Sequence, residues 1–156
     1  MIILRLPGQR PRELQSLVLD FNGTLAADGV LLAGVRSRIA AVVKVLDVHV
    51  VTGDTFGTVR SALRGLDLHV EVLPPLRQGV AKERYVVALG PGSVCAIGNG
   101  NNDAAMLKRA ALSIAILGRE GCAGATIGAA DLVVRDVIDG LDLLTHPRRL
   151  VASLRT

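Results

Sequence analysis

Three short apolar runs, each ending in a polar turn punctuated by glycine, constrain the fold of this chain more than any other feature. Val18-Leu19 leads into Asp20-Phe21-Asn22-Gly23-Thr24, an apolar run over 46–51 leads into Thr52-Gly53-Asp54, and Val94-Cys95-Ala96-Ile97 leads into Gly98-Asn99-Gly100-Asn101-Asn102-Asp103. Such β-branched and aliphatic richness suits strands buried on both faces. The intervals predict helices over 34–44, 55–63 and 78–88, then 103–110, 122–129 and the C-terminal stretch. Further strands are predicted over 68–72, 112–116 and 131–134. Strands alternating with helices predict an α/β fold built on a doubly wound, mainly parallel sheet. Ligands of such sheets bind outside the carboxyl ends of the strands, where these polar turns fall.

Two smaller features complete the expected architecture. A strand over 2–6 and a second one ending at Asp20 are expected to pair as a hairpin. Asp28-Gly29 between short apolar runs is a strong hairpin signal, and it predicts a small flap over the Asp20 turn. With no second composition regime or linker, the 156 residues are expected to form a single domain spanning 1–156.

Composition narrows the function classes. Half the residues are apolar, but the aromatics are only Phe21, Phe56 and Tyr85. The net charge of +4 is scattered apart from Arg10/Arg12 and Arg148-Arg149. Without stacking aromatics no nucleic-acid partner is expected, although a basic surface suits anionic substrates. No run approaches the roughly 20 apolar residues of a membrane span, so a soluble, cytoplasmic protein without a membrane partner is expected. Cys95 and Cys122 lack partners at metal-ligand spacing and read as buried thiols rather than a disulfide.

The turns at Asp20, Thr52 and Gly98–Asp103, with Lys82 in the interval between the last two, resemble in order and context the four motifs of the haloacid dehalogenase (HAD) superfamily. Thr52-Gly53-Asp54, the run Asn102-Asp103-Ala104-Ala105-Met106-Leu107 and Ala129-Ala130-Asp131-Leu132-Val133 are similar to the phosphorylation domain of P-type ATPases. The resemblance covers nearly the whole chain and is to the soluble, capless, P-type ATPase-like group. It implies a Rossmann-like HAD core with a hairpin flap and no cap domain. The implied activity is an Mg²⁺-dependent phosphohydrolase working through an aspartyl phosphate.

On this resemblance Asp20 is the nucleophile, and Asn22 and Lys82 complete the catalytic set. Thr24, Thr52, Gly53, Lys82 and Asn102 are the expected phosphate-binding residues. Asp20, the Asn22 backbone carbonyl and Asn99 are the implied Mg²⁺ ligands, with Asp103 nearby or acting through water. Asp103 can equally cap the helix that follows it. Lys82 is selected from only three lysines, Lys44, Lys82 and Lys108.

Two positions depart from the HAD phosphatase pattern, because Asn22 and Asn99 stand where Asp is usual. An amide has no titrating proton, so general acid/base assistance of roughly a hundred- to ten-thousand-fold is expected to be missing at Asn22. Turnover is therefore expected to be slow or restricted to good leaving groups. The alternative is a phosphate- or metabolite-binding regulatory protein with a degenerate site. A capless cleft is expected to take a phosphorylated small molecule or an exposed macromolecular phosphate, or to be closed by a neighbouring copy in a homo-oligomer.

Overall fold

The computed structural model describes residues 1–155. The chain begins with β1 (Ile2–Leu4) and β2 (Arg12–Leu14), an antiparallel pair in register Ile2↔Leu14 and Leu4↔Arg12. The expected hairpin therefore forms, but only the first part of its second strand takes part. At Gln15 the chain changes sheets. Its N–H donates to the Ser93 carbonyl at 2.8 Å and its carbonyl accepts from Asp47 N–H at 2.9 Å, which delivers β3 (Ser16–Leu19) into the main sheet.

The remaining elements are β4 (Ala26–Ala27), β5 (Val30–Leu31), α1 (Val35–Val42), β6 (Asp47–Thr52), α2 (Val59–Ala62), β7 (His69–Val72) and α3 (Gln78–Ala88). They are followed by β8 (Val94–Gly98), α4 (Ala104–Arg109), β9 (Leu112–Ile116), α5 (Gly124–Ala129), β10 (Leu132–Val134), α6 (Val137–Thr145) and α7 (Pro147–Leu154). The six-stranded sheet has the order β10-β9-β8-β3-β6-β7, and every pairing within it is parallel. This is the doubly wound α/β architecture expected from the sequence.

Side-chain alternation explains why both faces are covered. Leu17, Leu19, Val48, Val50, Cys95 and Ile97 face one layer, into which α1 sends Val35, Ile39 and Val42 and α6 sends Val137, Leu141 and Leu144. Val18, Val51, Val94 and Ala96 face the other, against Val86 of α3 and Met106 and Leu107 of α4. Ala96 and Ala115 keep that second face shallow. Burying each large aliphatic side chain contributes roughly 1.5–3 kcal/mol.

Two local rules decide where elements start. Asp28 and Gly29 both have positive φ, 50° and 75°, which is the conformation a two-residue type I′ hairpin turn demands. The helix expected from 55 is delayed to Val59. The Asp54 carboxylate accepts the Thr58 and Val59 N–H groups at 2.9 and 3.1 Å, and Gly57 at φ 65° keeps the intervening residues in a turn. No helix among the described residues is long and apolar enough to cross a membrane.

Candidate active site

The strand order reverses between β3 and β8, because the segment after β3 crosses to β6 while β8 returns on its other side. Their carboxyl ends therefore frame a crevice, the place where sheets of this type bind ligands. Asp20 follows β3 directly, and its N–H donates to the Ile97 carbonyl at 3.0 Å, carrying the pairing one residue beyond the strand. The turn beyond it is tight, since the Phe21 carbonyl accepts from Thr24, Leu25 and Ala26 N–H groups. Gly23 has φ 80°, and a Cβ there would lie 2.5 Å from Asn99 Nδ2, so the two loops touch only because position 23 is glycine.

Beneath Asp20 lies a fully buried ionic cluster. Lys82 projects from the inward stripe of α3, one turn before Val86, and both residues are wholly buried. Its Nζ donates to Asp20 Oδ1 at 2.5 Å and to Asp103 Oδ1 at 2.6 Å. Asp103 Oδ2 accepts the N–H groups of Asn99 at 3.0 Å and Gly100 at 2.9 Å. Thus Asp103 ties the loop after β8 to α3 and holds the Lys82 ammonium beneath Asp20. A Cβ at Gly98 would come within 2.5 Å of the Asp103 carboxyl carbon, which requires glycine there.

One ammonium faces two carboxylates, so the cluster carries uncompensated negative charge. Burial, reinforced by the Asp103 charge and only partly offset by Lys82, pushes the Asp20 carboxyl up to about 7. Burial alone would lower the Lys82 ammonium, but the Asp20 and Asp103 carboxylates outweigh it and hold it above its ordinary value.

The sequence-predicted residues divide into two layers. Asp20, Asn22, Thr52, Gly53, Asn99 and Asn102 line one cleft of about 150 Å³. Thr24, Lys82 and Asp103 lie behind it, wholly buried. The Thr24 hydroxyl is engaged with Asp20 Oδ2 at 3.4 Å and Asn99 Oδ1 at 3.2 Å, so in this structure it orients the carboxylate instead of facing the cleft. Both Asp103 oxygens are likewise taken. Thr52 Oγ1 accepts Asp54 N–H at 3.0 Å, which leaves its own proton to donate into the cleft.

Gln78 and Glu120 also line the cleft and were not anticipated from sequence. Gln78 accepts Asn102 Nδ2 at 3.2 Å and stands four residues before Lys82, a helical spacing that would have placed it on the same face. Glu120 lies in the loop after β9, with no motif to mark it. A larger hollow of about 410 Å³ beside α4 and α5 is lined chiefly by alanines and small residues and has no comparable cluster.

A metal would find oxygen donors here. The buried Asn22 Oδ1 has no hydrogen-bond partner, and the Asp20 carboxylate and the Asn99 side-chain amide stand at the same cleft. Such a hard-oxygen set suits Mg²⁺.

The fold is that of HAD hydrolases. A HAD-family hydrolase structure from Streptomyces avermitilis aligns with TM-score 0.65 and 23% identity over 85% of this chain and 84% of that one. The 3-deoxy-D-manno-octulosonate 8-phosphate phosphatase of Moraxella catarrhalis, solved with magnesium, phosphate and KDO, aligns with TM-score 0.71 and 14% identity over 91% of each chain. The cobalt-bound Haemophilus influenzae deoxy-D-mannose-octulosonate 8-phosphate phosphatase aligns with TM-score 0.65 and 15% identity over 90% of this chain and 92% of that one. No protein-family model matches the chain. A stretch of 62 residues is 50% identical to an uncharacterized protein of Methanocaldococcus jannaschii, covering 40% of this chain and 67% of that protein, and the chain belongs to the family of that archaeal protein.

Proposed function

We propose that the chain is a HAD-type phosphohydrolase with Asp20 as nucleophile and a cleft open to solvent. The observation that carries this reading is Lys82, an ammonium with no solvent exposure bound to both Asp20 and Asp103 beneath a cleft edged by Thr52, Gly53 and Asn102. A buried cation contacting a carboxylate is costly as a mere structural device. It is useful where a phosphoryl group must be received, because phosphoryl transfer is chiefly positioning and charge stabilisation.

In the proposed reaction Asp20 Oδ attacks phosphorus, and the bond from phosphorus to the leaving oxygen breaks with its electron pair staying on that oxygen. Lys82 shifts its hydrogen bonding toward the phosphoryl oxygens, while Thr52 Oγ1 and the Asn102 amide donate to them. Water then attacks phosphorus, the bond to Asp20 breaks with its electron pair returning to the carboxylate, and phosphate leaves carrying both protons of that water. Asp20, Asn22 and Asn99 would hold Mg²⁺, with Asp103 supporting the Asn99 loop from behind through its two backbone bonds. When bound, the ion supplies charge neutralisation for the incoming phosphate. The Moraxella structure with magnesium and phosphate supports this use of the fold.

Asn22 sets the substrate class. It can donate a hydrogen bond but cannot hand a proton to the leaving oxygen or take one from water. Glu120 is the only other carboxyl group at the cleft among the described residues, and it is exposed at the rim. Acyl phosphates, phosphoanhydrides and nitrophenyl phosphate, whose leaving groups depart unprotonated, are therefore favoured over alkyl phosphomonoesters. The P-type resemblance of Thr52-Gly53-Asp54 and 102–107 supports the same view, that of a phosphoenzyme released slowly.

The test is Mg²⁺-dependent phosphate release across acyl, nitrophenyl and alkyl phosphates, with Asp20→Asn as control. Release from acyl and nitrophenyl phosphates that vanishes in the control is expected. Equal background from both proteins would overturn the enzyme in favour of the second reading, a phosphate-binding regulator, which the amides at Asn22 and Asn99 favour.

A further inference from the structure

At the opposite end of the sheet from Asp20, three side chains that the proposed hydrolase chemistry does not use converge. Asp47 and His49 project from the same face of β6, two residues apart, and His69 pairs directly with His49 across to β7. Asp47 Oδ2 lies 3.2 Å from His49 Nε2, and Asp47 Oδ1 lies 3.2 Å from His69 Nε2. One ligand atom from each residue can be chosen so that all lie within 4.8 Å of one another. Two of the three histidines in the chain meet here.

The decisive atom is His49 Nε2. His49 is 5% exposed, yet this nitrogen makes no hydrogen bond, because its approach to Asp47 has the wrong direction. Leaving a buried ring nitrogen unpaired costs roughly 1–3 kcal/mol. The other ring nitrogen, Nδ1, is 3.0 Å from the Tyr85 hydroxyl. That contact lets Nδ1–H donate to Tyr85, and the Nε2 lone pair then points into the cluster. Metal-bound histidines are commonly held this way by a partner on the far nitrogen. The two imidazoles stack with centroids 4.7 Å apart, and each directs its Nε2 to within 3.2 Å of the Asp47 carboxylate.

We propose that Asp47, His49 and His69 form a site for a divalent transition-metal ion of the Zn²⁺ class. Four-coordinate Zn²⁺ with ligand bonds near 2.0–2.1 Å spaces its ligand atoms about 3.3 Å apart; each imidazole Nε2 already stands 3.2 Å from one of the two Asp47 carboxylate oxygens, and one ligand atom from each residue falls within 4.8 Å of the others. Two imidazoles and a single carboxylate select Zn²⁺, Co²⁺ or Ni²⁺ over Mg²⁺. The side chains of Asp47 and His69 are 58% and 63% exposed, so they are free to turn inward onto an ion from their separations within 4.8 Å, and water completes the coordination. The site lies three residues along β6 from Thr52, or about 10 Å measured from His49. It would clamp the edge strand β7 to β6 and, through Tyr85, to the helix that carries Lys82.

The test is titration of the untagged, metal-free protein with Co²⁺ alone, followed by its visible d–d absorption, then displacement by Zn²⁺. Wild type should bind one equivalent with the intense bands of four-coordinate Co²⁺ and should melt at higher temperature with Zn²⁺. His69→Ala and Asp47→Asn should weaken binding by roughly a hundredfold or more, and Tyr85→Phe by roughly tenfold. Asp20→Asn should leave the bands intact, and His69→Ala should leave Mg²⁺-dependent phosphate release unchanged. No Co²⁺ bands in wild type, bands that survive His69→Ala, or bands lost in Asp20→Asn would each overturn the proposal; the last would place the ion in the hydrolase cleft.

Discussion

The two ends of β6 and its neighbours carry opposite kinds of charged cluster. At the carboxyl end, Lys82 sits between two carboxylates with no exposure to solvent. At the amino end, Asp47 sits between two imidazoles and is more than half exposed. The difference is one of when the desolvation cost is met. The Lys82 cluster is assembled during folding and anchored through Asp103 by the backbone N–H groups of Asn99 and Gly100, so its charge is in place before a ligand arrives. The Asp47 cluster leaves two of its three side chains exposed and one nitrogen unpaired, so it gains most when an ion arrives.

Substitutions should separate the two ends. Asp20→Asn should lower phosphate release by at least about 10⁴-fold, measured by phosphate detection, because it removes the nucleophile. The same variant leaves Lys82 balanced by Asp103 alone, so its melting temperature should equal or exceed that of wild type. Lys82→Met should instead cost roughly 3–5 kcal/mol in urea unfolding, because it strands two buried carboxylates beside each other.

Asn22→Asp tests whether the amide limits turnover. Supplying a proton donor and acceptor should raise alkyl phosphomonoester hydrolysis by roughly 10²–10⁴-fold while changing nitrophenyl phosphate turnover much less. An equal effect on both substrates would show that protonation of the leaving group is not limiting.

The Asp20 carboxyl also predicts a pH signature of the metal-free protein. Its folded value of about 7 lies above the ordinary 3.8, so between about pH 4 and 7 the native state holds a proton that the unfolded chain has lost. Stability contributed by this group must then fall as pH rises through that window, by up to about 4 kcal/mol. Asp20→Asn should lack this component, which paired unfolding curves at pH 4.5 and pH 8 would reveal as about that difference. The smallest effect belongs to the open end. His69→Ala without metal should change stability by no more than about 0.5 kcal/mol, because the side chain is exposed and pays no burial cost.

Much of this was legible in the chain. The motif turns at Asp20, Thr52 and Gly98 lie at strand ends because apolar β-branched runs stop where polar, glycine-rich residues begin, a local effect that sequence carries directly. The flap turn was legible for the same reason, since Asp28-Gly29 can adopt two successive positive φ angles. Elements limited by nonlocal bonds were harder to place. The strand ahead of Asp20 divides at Gln15 because Ser93 and Asp47, distant in sequence, capture its backbone. The start of α2 depends on where the Asp54 carboxylate turns.

The sequence by itself determined the order of strands and helices, the nucleophile candidate and the amides beside it, because these depend on residue type and short-range spacing. Only the tertiary structure decided that Lys82 is sealed between Asp20 and Asp103, that Thr24 lies behind the cleft, and that His49 meets His69. Those facts depend on which strands become neighbours. Burial then sets the charge state of each group, and neither strand adjacency nor burial is a property of any short stretch of chain.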